Sequence, residues 1–185
     1  MTSNGVSYQN DVNIIGDVVM KKLTQAELRR VLCYNPLSGN FMWRISPRPN
    51  IKKGSIAGSI SGPKRSLYIH IFIHGYAYKA HRLAFLYIRG CWPRDQVDHK
   101  DKDGLNNRWL NLREATQSQN KANSGPHKNN KLGIKGVHRR TNGKYRVKIS
   151  VRGKRYYLGQ YETLEAAARA YRNAARKHFK EFASW

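Results

Sequence analysis

The sequence predicts an α+β protein, and three observations carry that prediction. Alternating runs at residues 136–140, 145–151 and 154–158 are separated by the tight-turn pairs Asn142-Gly143 and Arg152-Gly153. That is the pattern of a small three-stranded antiparallel sheet. A helix that Thr163 can cap follows, with Leu164, Ala167, Ala168, Tyr171 and Ala175 on one face, so the sheet is expected to pack on one helix. Upstream, a hairpin over residues 67–80 turning at His74-Gly75 runs directly into a helix at 81–89, which Gly90 stops.

The remaining elements follow in chain order. Residues 1–20 are expected to be a flexible tail. Thr24 caps a helix over 25–32, and Glu27 is placed to complete a capping box. Asn35-Pro36 and Ser38-Gly39 mark a turn before a strand at 41–45. Residues 46–66, rich in Pro, Gly, Ser and Lys, read as loop. A short strand at 96–99, a turn at 102–104, a second short stretch at 110–112 and a helix from 114 to 123 complete this part. Asn106 and Asn107 are expected to shape the turn between the two stretches, because Asn tolerates left-handed backbone. The polar run SGPHKNNKLG at 124–133 reads as a linker. The expected organisation is therefore a tail at 1–20, a first domain at 21–123, a linker at 124–133 and a second domain at 134–185.

Charge narrows the partner. The 185 residues carry 35 Lys and Arg against 11 Asp and Glu, a net charge of +24. Such a surface repels itself unless it meets a polyanion, so nucleic acid leads, with an anionic membrane surface second; double-stranded DNA is the partner expected once the motifs below are added. No apolar run approaches the roughly 18 residues a membrane span needs. The first twenty residues carry two acids and no base, the wrong flank for a secretory signal. Cys33 and Cys91 are too few for a disulfide scaffold and form no CxxC pair. An intracellular, cytoplasmic protein with no obligate protein partner is expected. Within this basic chain, residues 101–120 are neutral, and three carboxylates crowd together at Asp98, Asp101 and Asp103. Asp101 and Asp103 read as turn residues. An acid facing phosphate is repelled unless a cation intervenes, so Asp98 can be a metal ligand or a third turn acid on this ground alone.

The segment VDHKDKDGLNNRWLNLREATQSQN, residues 97–120, holds the groups that phosphodiester hydrolysis needs. His99 can take a proton from water near neutral pH. Asp98, with the amide oxygens of Asn111 and Asn120, offers oxygen donors to a hard divalent cation. Adjacent residues on a strand point to opposite faces, so Asp98 and His99 reach one cleft only where the strand runs into a loop.

The elements HRLAF, VDH, DGLNNRWLNLR and ATQSQN, spanning roughly 81–120, resemble HNH endonucleases, specifically those among phage-encoded homing endonucleases. The resemblance implies a ββα-metal fold, a two-stranded ribbon and a helix gripping one divalent ion. It implies that His99 is the general base, that Asn111 orients its imidazole, and that Asp98 and Asn120 are the protein ligands of the metal. Asn120 stands where a ligand His gives the family its name, which suits Mg²⁺ or Mn²⁺ better than zinc. His81 and Arg82 begin the helix of HRLAF, a pair usual in the family.

Downstream, KGVHRR, GKYRVKI, RYYLGQYET and EAAARAY resemble the AP2 DNA-binding domain, whose three-stranded sheet lies in the major groove. By position, Lys135, His138, Arg140, Asn142, Lys148, Ser150, Arg155 and Tyr157 fall where that family contacts DNA. The residues themselves favour a basic sheet face: Lys144, Arg146 and Lys148 alternate with Tyr145, Val147 and Ile149. The resulting expectation is a site-selective, metal-dependent DNA endonuclease that nicks one strand per active site. A DNA-binding transcriptional regulator with an inactive nuclease fold is the alternative.

Overall fold

Thr24 starts the first helix, α1 (Gln25–Val31), its hydroxyl accepting from the Glu27 amide at 3.2 Å. Glu27 turns away from the expected capping box and pairs instead with His74 at 3.0 Å, tying α1 to a distant hairpin turn. These features come from a computed structural model that describes residues 23–64, 66–127 and 129–185. The expected tail at 1–20 lies outside the described residues.

The helix stops at Val31, earlier than the sequence pattern suggests, because the next residues are claimed by β1 (Leu32–Tyr34). β1 pairs antiparallel with β2 (Phe41–Trp43) across the expected turn. A second sheet sets β4 (Tyr68–Ile73) between β3 (Ser59–Ser61) and β5 (Tyr76–Lys79). β3 falls in the segment expected to be loop; all three of its residues are exposed, so it leaves no apolar alternation to detect. α2 (Ala80–Arg89) continues directly from β5, and Gly90 ends it in the left-handed region at φ 79°.

Leu28, Leu32, Ile71 and Leu83 are wholly buried where α1, β1, β4 and α2 meet. Truncating one of these to Ala costs about 2–5 kcal/mol in a typical core. α1 also answers a terminal carbonyl of α2: Gln25 Nε2 and Arg29 Nη2 both donate to Tyr87 O at 2.8 Å.

β6 (Gln96–His99) pairs antiparallel with β7 (Leu112–Ala115), and α3 (Gln117–Asn123) packs on the ribbon. The second strand lies later than expected. Residues 109–111 form one 3-10 turn, and pairing begins at Leu112. α3 accordingly starts three residues late, at the capping box that Thr116 makes with Gln119.

The C-terminal sheet runs β10 (Lys154–Tyr161), β9 (Tyr145–Val151), β8 (Val137–Arg139), with β9 central and α4 (Leu164–Phe179) across one face. Val137, Val147 and Ile149 meet Ala167, Tyr171, Ala175 and Phe179. Ala115 of β7 and Ala122 of α3 join this second core. The segment at 124–133 brings Leu132 against it, as Ile134 does next along the chain. Among the described residues no helix is long and apolar enough to cross a membrane.

Gly136, at φ 70°, sits where β8 begins. A Cβ there would lie 2.1 Å from the Lys148 carbonyl and 2.5 Å from the Tyr171 ring. Gly143, at φ 78°, has open space around it. Both positions share the backbone cost of a left-handed residue, about 1–2 kcal/mol. Gly136→Ala should therefore lower stability well beyond Gly143→Ala, by at least about 2 kcal/mol more. Urea titration of the two variants checks this; equal loss would mean that the close approach is unimportant.

Candidate active site and nucleic-acid face

The loop between β6 and β7, residues 100–111, is built around one carboxylate. Asp101 Oδ1 accepts from the Asp103 amide and Asn111 Nδ2 at 2.9 Å, and Oδ2 accepts from Asn106 Nδ2 at 2.6 Å. Burial alone would raise the Asp101 pKa, but these donors outweigh it and hold the carboxyl below its usual range. Asp103 Oδ1 accepts from the Leu105 amide at 2.9 Å. Both acids shape the turn, as their sequence context suggests.

This scaffold delivers Asn107 to His99. Asn107 is 1% exposed; its Nδ2 donates to Leu105 O at 3.2 Å, so its Oδ1 faces His99 Nε2 at 3.2 Å. With the proton on Nε2, Nδ1 carries the lone pair, and it makes no hydrogen bond among the described residues. Asn111, expected on the imidazole, lies elsewhere. Its Nδ2 binds Asp101 and the Asn106 carbonyl, and its Oδ1 accepts from the Asp101 amide. It acts on His99 only through the loop.

The loop is held from outside by the N-terminal hairpin. Tyr34 Oη donates to Asn107 O at 2.6 Å, and the Trp109 amide donates to Pro36 O at 3.0 Å. Gly39 abuts the Asn107 backbone so closely that a Cβ there would lie 2.5 Å away.

His99 is 6% exposed, and its ring meets His81 edge-on at 5.0 Å between centroids. Tyr68 lies 5.3 Å from His81 and 6.1 Å from His99. Burial lowers the pKa of His99 against the opposing pull of Asn107, Asp101, Asp98 and Asp103. Burial, helped by His99 and Lys79, takes His81 down to about 3. Both rings are therefore neutral at neutral pH. The alternation of β6 buries His99 on this side, and α2 starts just where its second residue, His81, can face it.

Asp98 leaves β6 on the opposite face. Its register partner is Arg113, whose Nε and Nη2 both reach Oδ2 at 2.8 Å. Asn123 Nδ2 lies 2.9 Å from Oδ1 and 3.1 Å from Oδ2, and 2.8 Å from His99 O. Asn120, expected beside Asp98, donates to Gln96 Oε1 at 2.6 Å, so the α3 residue touching Asp98 is Asn123. β6 ends at His99, and the chain enters the loop at Lys100.

A hard cation suits what gathers on the Asp98 face. It holds one carboxylate, the amide groups of Gln96, Asn120 and Asn123, and the Arg113 guanidinium, with no sulfur or imidazole; Asp98 accepts from Arg113 and from Asn123 Nδ2, and the amide oxygens of Asn120 and Asn123 are the further hard donors. Mg²⁺ is commonly held by one or two carboxylates plus waters and substrate phosphate. Among the described residues there is no cluster of three His, Cys, Asp or Glu, on this face or elsewhere.

The C-terminal sheet presents its outer face as the alternation requires. Gly136, His138, Arg146, Lys148, Ser150 and Arg155 line a pocket of about 380 Å³. Register sets His138 beside Arg146, and Arg155 beside Ser150. Tyr157, opposite Lys148, is 61% exposed. Arg146 Nε is buried and makes no hydrogen bond among the described residues. Arg146 was missing from the expected contact set, although its place in the alternation gave its direction.

Two of the expected contacts are engaged elsewhere. Lys135 Nζ donates to the carbonyls of Lys121, Ala122 and Ser124 at 2.7–2.9 Å, neutralising the C-terminal end of α3. Burial and nearby Lys102 lower its pKa to about 8. Asn142 Oδ1 accepts from the Lys144 amide at 3.2 Å and so closes the turn. Arg140, just beyond β8, is exposed.

Residues 78–122 match a family model described as HNH endonuclease. The matched span runs from β5 to the last turn of α3. An uncharacterised HNH endonuclease of Acanthamoeba polyphaga mimivirus is 36% identical over 106 residues, covering 56% of this chain. The chain spans about half the length of that relative, 54%. No solved structure matches the chain.

The buried imidazole of His81 makes stability depend on pH. Its folded pKa of about 3 lies below the ordinary 6.5, so the unfolded chain takes up the proton first as pH falls. Stability should decline from about pH 6.5 toward pH 3, by up to about 1.4 kcal/mol per unit. His81→Phe keeps a ring in the same contacts and removes the His81 share of this dependence, leaving that of His99. Urea midpoints for both proteins at about pH 7 and about pH 5 check it; parallel shifts would deny His81 the role.

Proposed function

We propose that this chain is a site-selective, divalent-metal-dependent DNA endonuclease that hydrolyses one phosphodiester strand per active site. The observation that carries the reading is the His99 imidazole: buried, neutral, pinned through Nε2 by Asn107, with its Nδ1 lone pair uncommitted among the described residues. The match of residues 78–122 and the viral relative support the same class of chemistry.

His99 Nδ1 takes a proton from the attacking water, and Asn107 keeps the ring in the tautomer that allows it. Asn111 maintains the loop that carries Asn107. His81 and Tyr68 keep bulk water from the ring, which preserves its neutral form. Asp98, with the amide oxygens of Asn120 and Asn123 on the α3 face, holds the divalent ion. When bound, that ion neutralises charge on the phosphate and leaving oxygen.

The basic sheet supplies duplex affinity and orientation. Arg146, Arg155 and Lys148 converge at one pocket, where a guanidinium can meet a phosphate or the O6 and N7 edge of guanine. His138, Ser150 and Tyr157 flank them, and Arg140 extends the basic surface.

Two experiments test the reading. Supercoiled plasmid incubated with wild type should convert to open circle only with Mg²⁺ or Mn²⁺. His99→Ala should lose about 10²–10⁴-fold in rate while duplex affinity stays within about twofold. Equal loss of cutting and binding would remove His99 from the chemistry. Separately, Arg146→Gln and Arg155→Gln should each weaken duplex binding by about tenfold and flatten its salt dependence. Single-turnover cutting on saturating DNA should be unchanged; normal binding by both variants would exclude the sheet as the reader.

A further inference from the structure

Arg113 is held on every side. Two nitrogens of its guanidinium take Asp98 Oδ2, and Nη1 continues to the carbonyl of Glu181 at 2.9 Å. The Phe182 ring lies 3.7 Å from Cζ, a cation–π contact made in a buried setting. Glu181 and Phe182 follow α4, nearly seventy residues along the chain from Arg113. They arrive there because Lys180 takes a positive φ of 49°, which turns the chain after α4. Phe182 and Ser184 are both buried, and Lys102 Nζ donates to Ser184 Oγ at 2.7 Å, fastening this strap to the loop between β6 and β7.

Resting on the reading that Asp98 holds a divalent ion, we propose that Arg113 is a positioning residue for Asp98 and that residues 180–184 are the strap that fixes it. A carboxylate free to rotate loses that freedom when it binds an ion, and the loss weakens binding. Here the loss is already incurred on folding. The fork settles one oxygen, the strap settles the fork, and the ring excludes the water that would solvate the guanidinium. Arg113 does not touch substrate; it acts through Asp98. The sheet module thus contributes a wall of the metal site as well as a surface for DNA.

The test uses the full chain, with Mn²⁺ as probe and free Mn²⁺ read by electron paramagnetic resonance. Arg113→Lys keeps the charge but loses the fork, and Phe182→Leu keeps an apolar side chain but loses the ring. Asp98→Asn is the control for the metal reading. Wild type should bind Mn²⁺ and Asp98→Asn should not. Arg113→Lys and Phe182→Leu should weaken Mn²⁺ binding by about tenfold. Duplex affinity should stay within about twofold, and excess Mn²⁺ should restore cutting. A general loosening would lower Mn²⁺ and duplex affinity together, and that result overturns the proposal. So does unchanged Mn²⁺ affinity in both variants, with the metal reading left standing. Wild type that binds no Mn²⁺, or binding that survives Asp98→Asn, overturns both.

Discussion

Two adjacent polar residues, Asp98 and His99, leave one strand in opposite directions, and each is almost fully buried. Burying a carboxylate or an imidazole without partners costs several kcal/mol, so each side of β6 needs its own shell. The N-terminal half supplies one. α2 brings His81, β4 brings Tyr68, and the β1–β2 hairpin steadies the loop that carries Asn107. The C-terminal half supplies the other through Arg113, Asn123 and the strap after α4. The ribbon joins the two cores because its consecutive side chains need different neighbours.

Electrostatics is divided in the same way. Among the described residues no carboxylate pairs with Arg146, Lys148 or Arg155 on the outer face of β8–β10, which favours long-range attraction of a polyanion. Around β6 and β7 the cations are partnered group by group: Arg113 by the Asp98 carboxylate, and Lys102 and Lys135 by hydroxyl and carbonyl oxygens that take their hydrogen bonds.

Much of this was legible in the sequence. Caps at Thr24 and Thr163, the hairpin turns and the α4 face all rest on local rules, and those elements form where the rules place them. Residue chemistry and the resemblance both pointed to Asp98 and His99, and the structure buries both. What escaped depends on contacts that local pattern does not encode. Asn107 and Asn111 lie in one asparagine-rich loop, and only the folded loop decides which reaches the imidazole. Asn120 and Asn123 share one face of α3, and spacing alone did not select between them. Lys135 begins a basic sheet in sequence, yet a helix end lies within its reach. β1 and β3 are too short to show a period. Nothing near Arg113 in the sequence announces Phe182.

The close packing of Gly39 on the Asn107 backbone bears on how portable this chemistry is. The recognisable stretch begins at residue 78, well after Gly39, Tyr34 and Tyr68, and ends at residue 122, before Asn123 and Phe182. A cassette cut at those boundaries and grafted into another host would carry Asp98 and His99 without several of the residues packed around them. For this protein, the smallest segment that can be recognised is shorter than the smallest segment that can be transplanted.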